Sequence, residues 1–121
     1  MIGSLIFALI SSLLAIGYGI FLIKWILKLP TGDEKMQSIA KAIEEGANAY
    51  LYRQYKTVAL VAVVLFFLLL FLGFFASLGF LIGAVASALA GYIGMYISVR
   101  ANVRTTEAAK KGLKEALNVA F

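Results

Sequence analysis

Few side chains in this sequence could take part in chemistry. Glu44 and Glu45 are adjacent acids, and paired carboxylates work as general acid and base, or as metal ligands, only where both reach the same atoms. Neighbours on a helix point about 100° apart, so this pair reads as a solvated face. Gly91-x-x-Gly94 has the small-residue character of a phosphate loop, but it lies in an apolar run with no strand before it and reads as helix packing. Lys110, Lys111 and Lys114 form a basic run that suits anionic headgroups or a polar loop. There is no His and no Cys, which excludes disulfide frameworks, thiolate zinc sites and histidine catalysis. Asp33 is the only Asp, and no Asp-rich cluster for magnesium, P-loop or nucleotide fingerprint is present. Ion pathways are lined by ionisable residues facing a bundle interior, and the long apolar runs hold none before Lys24. No residue of this chain is therefore assigned as catalytic, cofactor-binding or metal-ligating.

The elements that carry these residues are set by composition. Of 121 residues, 63% are hydrophobic and 14% charged, with a mean hydropathy of +0.97. A soluble domain carries about 45–50% apolar and about 25% charged residues. The excess of apolar side chains must face lipid or other apolar helices. The net charge of +5 is confined to two short stretches beside long apolar runs. Lipid headgroups, rather than nucleic acid, are the expected partner of that charge.

Residues 1–23 are free of charge, and the apolar run continues past Lys24 through Leu27. About 20 apolar residues cross a hydrocarbon core of roughly 30 Å. No basic residue precedes the run and no small-residue cleavage site ends it, which favours an uncleaved span over a signal peptide. A second uncharged stretch covers residues 57–99. One straight helix of that length would be roughly 65 Å long, twice the core, so a hairpin of two spans is expected. The break is placed between Gly73 and Gly79, with Ser77-Leu78-Gly79 as turn residues. The expected fold is all-α and membrane-integral, with spans at about 2–27, 57–76 and 80–99. Gly83, Ser87 and Gly91 recur every four residues on the third span, and small residues at that spacing let another helix approach closely.

All charged residues fall on one side of this arrangement. The 24–56 connection holds six Lys or Arg and four acids, and the tail after Val99 holds five and two. The positive-inside rule places 28–56 and 100–121 in the cytoplasm and the N-terminus outside. Trp25, Tyr52 and Tyr55 stand at the expected interface. Pro30-Thr31-Gly32-Asp33-Glu34 reads as a helix start with a Thr31–Glu34 capping box. Apolar residues from Met36 to Leu51 recur at helical spacing, so an amphipathic cytoplasmic helix is expected over about 32–54. Thr106 to Phe121 reads as a helical tail that Gly112 weakens by up to about 1 kcal/mol.

Three segments resemble a known family. The run from Ile39 to Lys56 (IAKAIEEGANAYLYRQYK) resembles the first cytoplasmic region of membrane-integral pyrophosphatases. Gly91–Met95 (GYIGM) with Ala101–Thr105 (ANVRT) resembles the end of that family's third span, and Gly112–Phe121 the approach to its fourth. Order and spacing agree along essentially the whole chain. Tyr96 to Arg100 departs from the family pattern, where a Lys and an Ala-Thr pair are expected nearby.

The resemblance implies a pump of about sixteen transmembrane helices that couples hydrolysis of magnesium pyrophosphate to H⁺ or Na⁺ transport and works as a homodimer. It implies Mg²⁺ for the full-length protein, with a K⁺ requirement left open, and catalytic acids in Asp-rich motifs on later helices. Residues 1–121 then form an incomplete, N-terminal part of the pyrophosphatase domain, an outer wall surrounded by lipid and the remaining helices, in a prokaryotic plasma membrane. The alternatives are a stand-alone, non-enzymatic three-helix subunit that packs with partner helices, and a basic anchor that recruits acidic lipid.

Overall fold

A computed structural model describes all 121 residues, and every element is helical: α1 (Ile2–Leu27), α2 (Glu34–Leu70), α3 (Phe74–Ala109) and α4 (Leu113–Ala120). The first three are long and apolar enough to cross a membrane. The chain is an all-α integral membrane protein. It divides into two compact units, one of Met1–Asp33 with Ala101–Phe121 and one of Glu34–Arg100.

In the first unit, α1 runs for 26 residues, about 39 Å at the usual rise. None of its residues is buried, as suits a span whose solvent is lipid. It ends where the Lys28 and Leu29 amides donate to Trp25 and Ile26 carbonyls and Pro30, which has no amide to donate, follows. The last turns of α3 and the short α4 complete this unit. Val103 and Val119 are its buried side chains.

The second unit is an antiparallel hairpin of α2 and the larger part of α3. Two expected boundaries move here. The amphipathic stretch expected over 32–54 and the span expected over 57–76 are one helix, which starts at Glu34 and runs 37 residues to Leu70. Between Gly46 and Gly73 the sequence has neither Gly nor Pro, so nothing interrupts the backbone hydrogen-bond ladder where the side chains change from charged to apolar. At about 55 Å, α2 exceeds the hydrocarbon core by roughly 25 Å. Its charged half must project beyond the apolar layer.

The hairpin turn lies at residues 71–73, earlier than Ser77-Leu78-Gly79. The Phe71, Leu72 and Gly73 amides donate to Leu68 and Leu69 carbonyls, and Gly73 takes a φ of +144° that L side chains rarely adopt. Ser77 is inside α3, fully buried, and its hydroxyl donates to the Phe66 carbonyl at 2.7 Å. A small polar residue that looked like a turn former is instead a contact across the hairpin. The tail also differs from expectation. α3 continues through Thr106 to Ala109, and Gly112, with φ +143°, is the N-cap of α4 rather than a weak point inside a helix.

Replacing Ser77 by Ala removes the hydroxyl contact and is expected to cost about 0.6–1.7 kcal/mol, the range measured for hydrogen bonds between membrane helices. Gly79→Ala, which meets nothing within 4 Å, is expected to leave stability unchanged or raise it. Thermal unfolding of the detergent-solubilised variants checks both. A turn at 77–79 would give the opposite order.

Candidate functional site

Three polar contacts join α2 to α3 in the hairpin unit. The Ser77 hydroxyl donates to Phe66, the Tyr55 hydroxyl donates to the Ala88 carbonyl at 2.6 Å, and the Arg100 guanidinium reaches the Glu44 carboxylate at 2.7 Å. Eleven residues along α2 move the contact eleven or twelve along α3. Eleven residues are three helical turns to within about 20°, so residues 44, 55 and 66 fall on one stripe of α2 and residues 77 and 88 on one stripe of α3. The apolar side chains on either side have no hydrophobic incentive to prefer each other over lipid, and close packing and hydrogen bonds supply the specificity.

The middle contact explains one of the small residues singled out in the third span. A Cβ at Gly91 would lie 2.8 Å from the Tyr55 hydroxyl. The missing side chain leaves the notch that the Tyr55 hydroxyl occupies. Gly83 and Gly94 have open space around them, and Ser87 is exposed on the groove wall. The Gly83, Ser87 and Gly91 stripe therefore does two things: Gly91 receives α2 of its own hairpin, while Gly83 and Ser87 stay open. The groove that Ser87 and Gly91 line is about 600 Å³ and is lined mainly by apolar side chains, among them Val58, Val61, Leu65 and Ala84.

The outermost contact lies at the charged end of the hairpin. Arg100 also donates to the Tyr96 carbonyl at 3.0 Å, and its guanidinium carbon sits 3.5 Å from the centre of the Tyr96 ring. The Glu44 and Arg100 side chains are 34% and 25% exposed, so the ion pair contributes about 0.2–1 kcal/mol and the ring stacking about 0.5–1 kcal/mol more. Glu44 and Glu45 do not act together, because Glu44 is turned to Arg100. The 56-residue separation hid this pair from a reading of the sequence. Of the three expected interface aromatics, Trp25 and Tyr52 are exposed, whereas Tyr55 is turned into the hairpin.

In the other unit, Arg104 donates to the Leu27 carbonyl at 3.4 Å, a cation against the negative end of α1. Lys110 lies 2.9 Å from Glu107 and 3.7 Å from Asp33. The hydrogen bond it donates to Glu107 is the main cause of a pKa above the ordinary lysine value of 10.5, desolvation opposing it and the charges of Glu107 and Asp33 adding to it. Because the folded pKa is the higher one, this contact is intact at neutral pH and is lost only as alkali passes through that raised value. Lys110 is thereby separated in role from Lys111 and Lys114. Of the acids, Glu44 faces Arg100, and Asp33 and Glu107 face Lys110.

Residues 13–121 match the family described as inorganic H⁺ pyrophosphatase. The chain belongs to this family. Relatives named K⁺-insensitive pyrophosphate-energized proton pumps are 43% identical over 67 residues in Pyrobaculum aerophilum and 50% identical over 61 residues in Methanosarcina mazei. These alignments cover 53% and 50% of this chain. A pump of the same name from Caldanaerobacter subterraneus is 51% identical over 55 residues, 46% of the chain. The chain spans 9%, 9% and 7% of the lengths of these three pyrophosphatase relatives. No solved structure matches.

The Tyr55–Gly91 fit is open to a double-mutant cycle. Tyr55→Phe is expected to cost about 0.6–1.7 kcal/mol in this setting. Gly91→Ala should destabilise when the Tyr55 hydroxyl is present and much less when it is absent. Strictly additive costs in thermal unfolding would overturn the notch.

Proposed function

We propose that this chain is the N-terminal part of a pyrophosphate-energised proton pump and serves as structural outer wall, without catalytic residues of its own. The observation that carries this is the family match across residues 13–121 set against a span of 9% or less of the relatives' length. On this reading, pyrophosphate and Mg²⁺ are held by other parts of the pump, while Asp33, Glu44 and Glu107 of this chain stay in structural ion pairs. The relatives' names favour H⁺ over Na⁺ as the transported ion and no K⁺ requirement. The complete pump is a homodimer in a prokaryotic plasma membrane, with the N-terminus outside and 28–56 and 100–121 on the cytoplasmic side.

The hairpin suits a wall. Its polar contacts keep α2 and α3 in one register while the open groove offers a surface to further helices. Charge asymmetry supports the orientation, since both basic segments lie on one side of the spans.

The deciding measurement is the denatured mass of the polypeptide carrying this sequence in its source membranes. A species several-fold heavier than 13.1 kDa, with pyrophosphate hydrolysis and proton uptake into inverted vesicles following it, is expected. A native 13.1 kDa species without hydrolysis would favour a separate non-enzymatic subunit. The absence of native Cys makes orientation directly testable: Ser4→Cys should react with impermeant maleimide from outside, and Lys114→Cys only after the membrane is opened.

A further inference from the structure

A second cavity lies wholly within the unit formed by the two ends of the chain. It is about 310 Å³, at the lower edge of the usual range for small-molecule sites. Trp25, Leu29, Pro30 and Val119 give it an apolar side. Arg104 and Lys111 supply cations, Glu107 and Glu115 supply acids, and Asn118 adds an amide. We propose that this cavity binds the headgroup of a phospholipid carrying a phosphodiester and a primary ammonium, as in phosphatidylethanolamine.

Three observations choose that chemistry. The cavity wall carries charges of both signs, so a simple anion would meet two carboxylates and a simple cation two basic groups. A zwitterion satisfies both: Lys111 and Arg104 face the phosphodiester, and Glu115 accepts from the ammonium. Arg104 is steadied for this by its hydrogen bond to the Leu27 carbonyl, and Glu107 is already shared with Lys110, which leaves Glu115 as the acid for the ligand.

The position then points to lipid rather than a soluble zwitterion. Trp25 lies in the last turn of α1, an apolar helix with no buried residue, and is followed by Lys28, the arrangement of a residue at headgroup level. α4 carries Leu113 and Leu117, with Phe121 just beyond its end, spaced four residues apart and exposed. They form an apolar edge beside the cavity that matches acyl chains. Phosphatidylcholine presents the same phosphodiester, but its quaternary ammonium has no hydrogen to donate to Glu115.

Native mass spectrometry of the detergent-purified protein, titrated with phosphatidylethanolamine, phosphatidylglycerol and phosphatidylcholine of identical acyl chains, tests the proposal. Phosphatidylethanolamine is expected to bind about tenfold more tightly than the other two, the value of one hydrogen bond to a charged group. Lys111→Glu should lose that binding by about the same factor. Glu115→Gln should erase the preference over phosphatidylcholine while the phosphodiester is still bound. Glu45→Gln, with circular dichroism to show that helix content is kept, serves as the control and should change nothing. Equal affinity for the three lipids, or unchanged affinity in Lys111→Glu, would overturn the site. The measurement uses no pyrophosphate, so its outcome is independent of whether the chain proves to be part of a pump.

Discussion

Lipid gives two apolar helices no reason to prefer one another, and the hairpin depends on how that deficit is made good. Three polar contacts eleven residues apart do so, from Ser77 and Phe66 near the turn, through Tyr55 and Ala88, to Arg100 and Glu44 at the charged end. Two of the three use a side-chain hydroxyl against a backbone carbonyl, which suits an apolar layer because neither partner carries a charge. The ionic contact comes last, where the helices have left the uncharged stretch and the cost of burying ions has fallen. The gradation from hydroxyl to ion pair follows the polarity of the surroundings.

On the proposed reading as a wall, the hairpin supplies fixed register and free surface. Tyr55 seated over Gly91 fixes the register, while Gly83, Ser87 and the apolar groove remain open for other helices. Glu44 is engaged by Arg100, and Asp33 and Glu107 by Lys110. Membership of the inorganic H⁺ pyrophosphatase family and a framework part in a larger pump are compatible on these grounds. The two ends of the chain meet in a separate unit, where Arg104 and Lys110 tie the end of α1 and the following linker to the last turns of α3. That unit concentrates charge of both signs beside Trp25, a setting for headgroups rather than for acyl chains.

Much of this was legible in the sequence. Charge-free runs longer than a bilayer is thick require spans, and the uncharged 57–99 stretch requires a hairpin, because a backbone inside lipid has no partner except its own helix. A helix was expected from about residue 32 and starts at Glu34, and the family followed from three composite segments. Boundaries were less legible. Ser77 and Gly79 have turn chemistry, but a Ser inside an apolar helix is also a good contact between helices, and only the position of Phe66 decides between them. Gly112 likewise could weaken a helix or start one, and the backbone angle of +143° settles which.

What the sequence alone determined is a property of runs: the lengths of charge-free stretches, the distribution of charge, small-residue spacing and family. Those depend on neighbours along the chain, and solvent preference acts on each residue where it stands. What only the tertiary structure decided is pairing. Glu44 with Arg100, Tyr55 with Gly91 and Lys110 with Asp33 each join residues far apart in sequence. The physical reason is register: a shift of one residue rotates a helix by about 100°, and which side chains then meet is fixed by the packing of the helices and not by any residue alone.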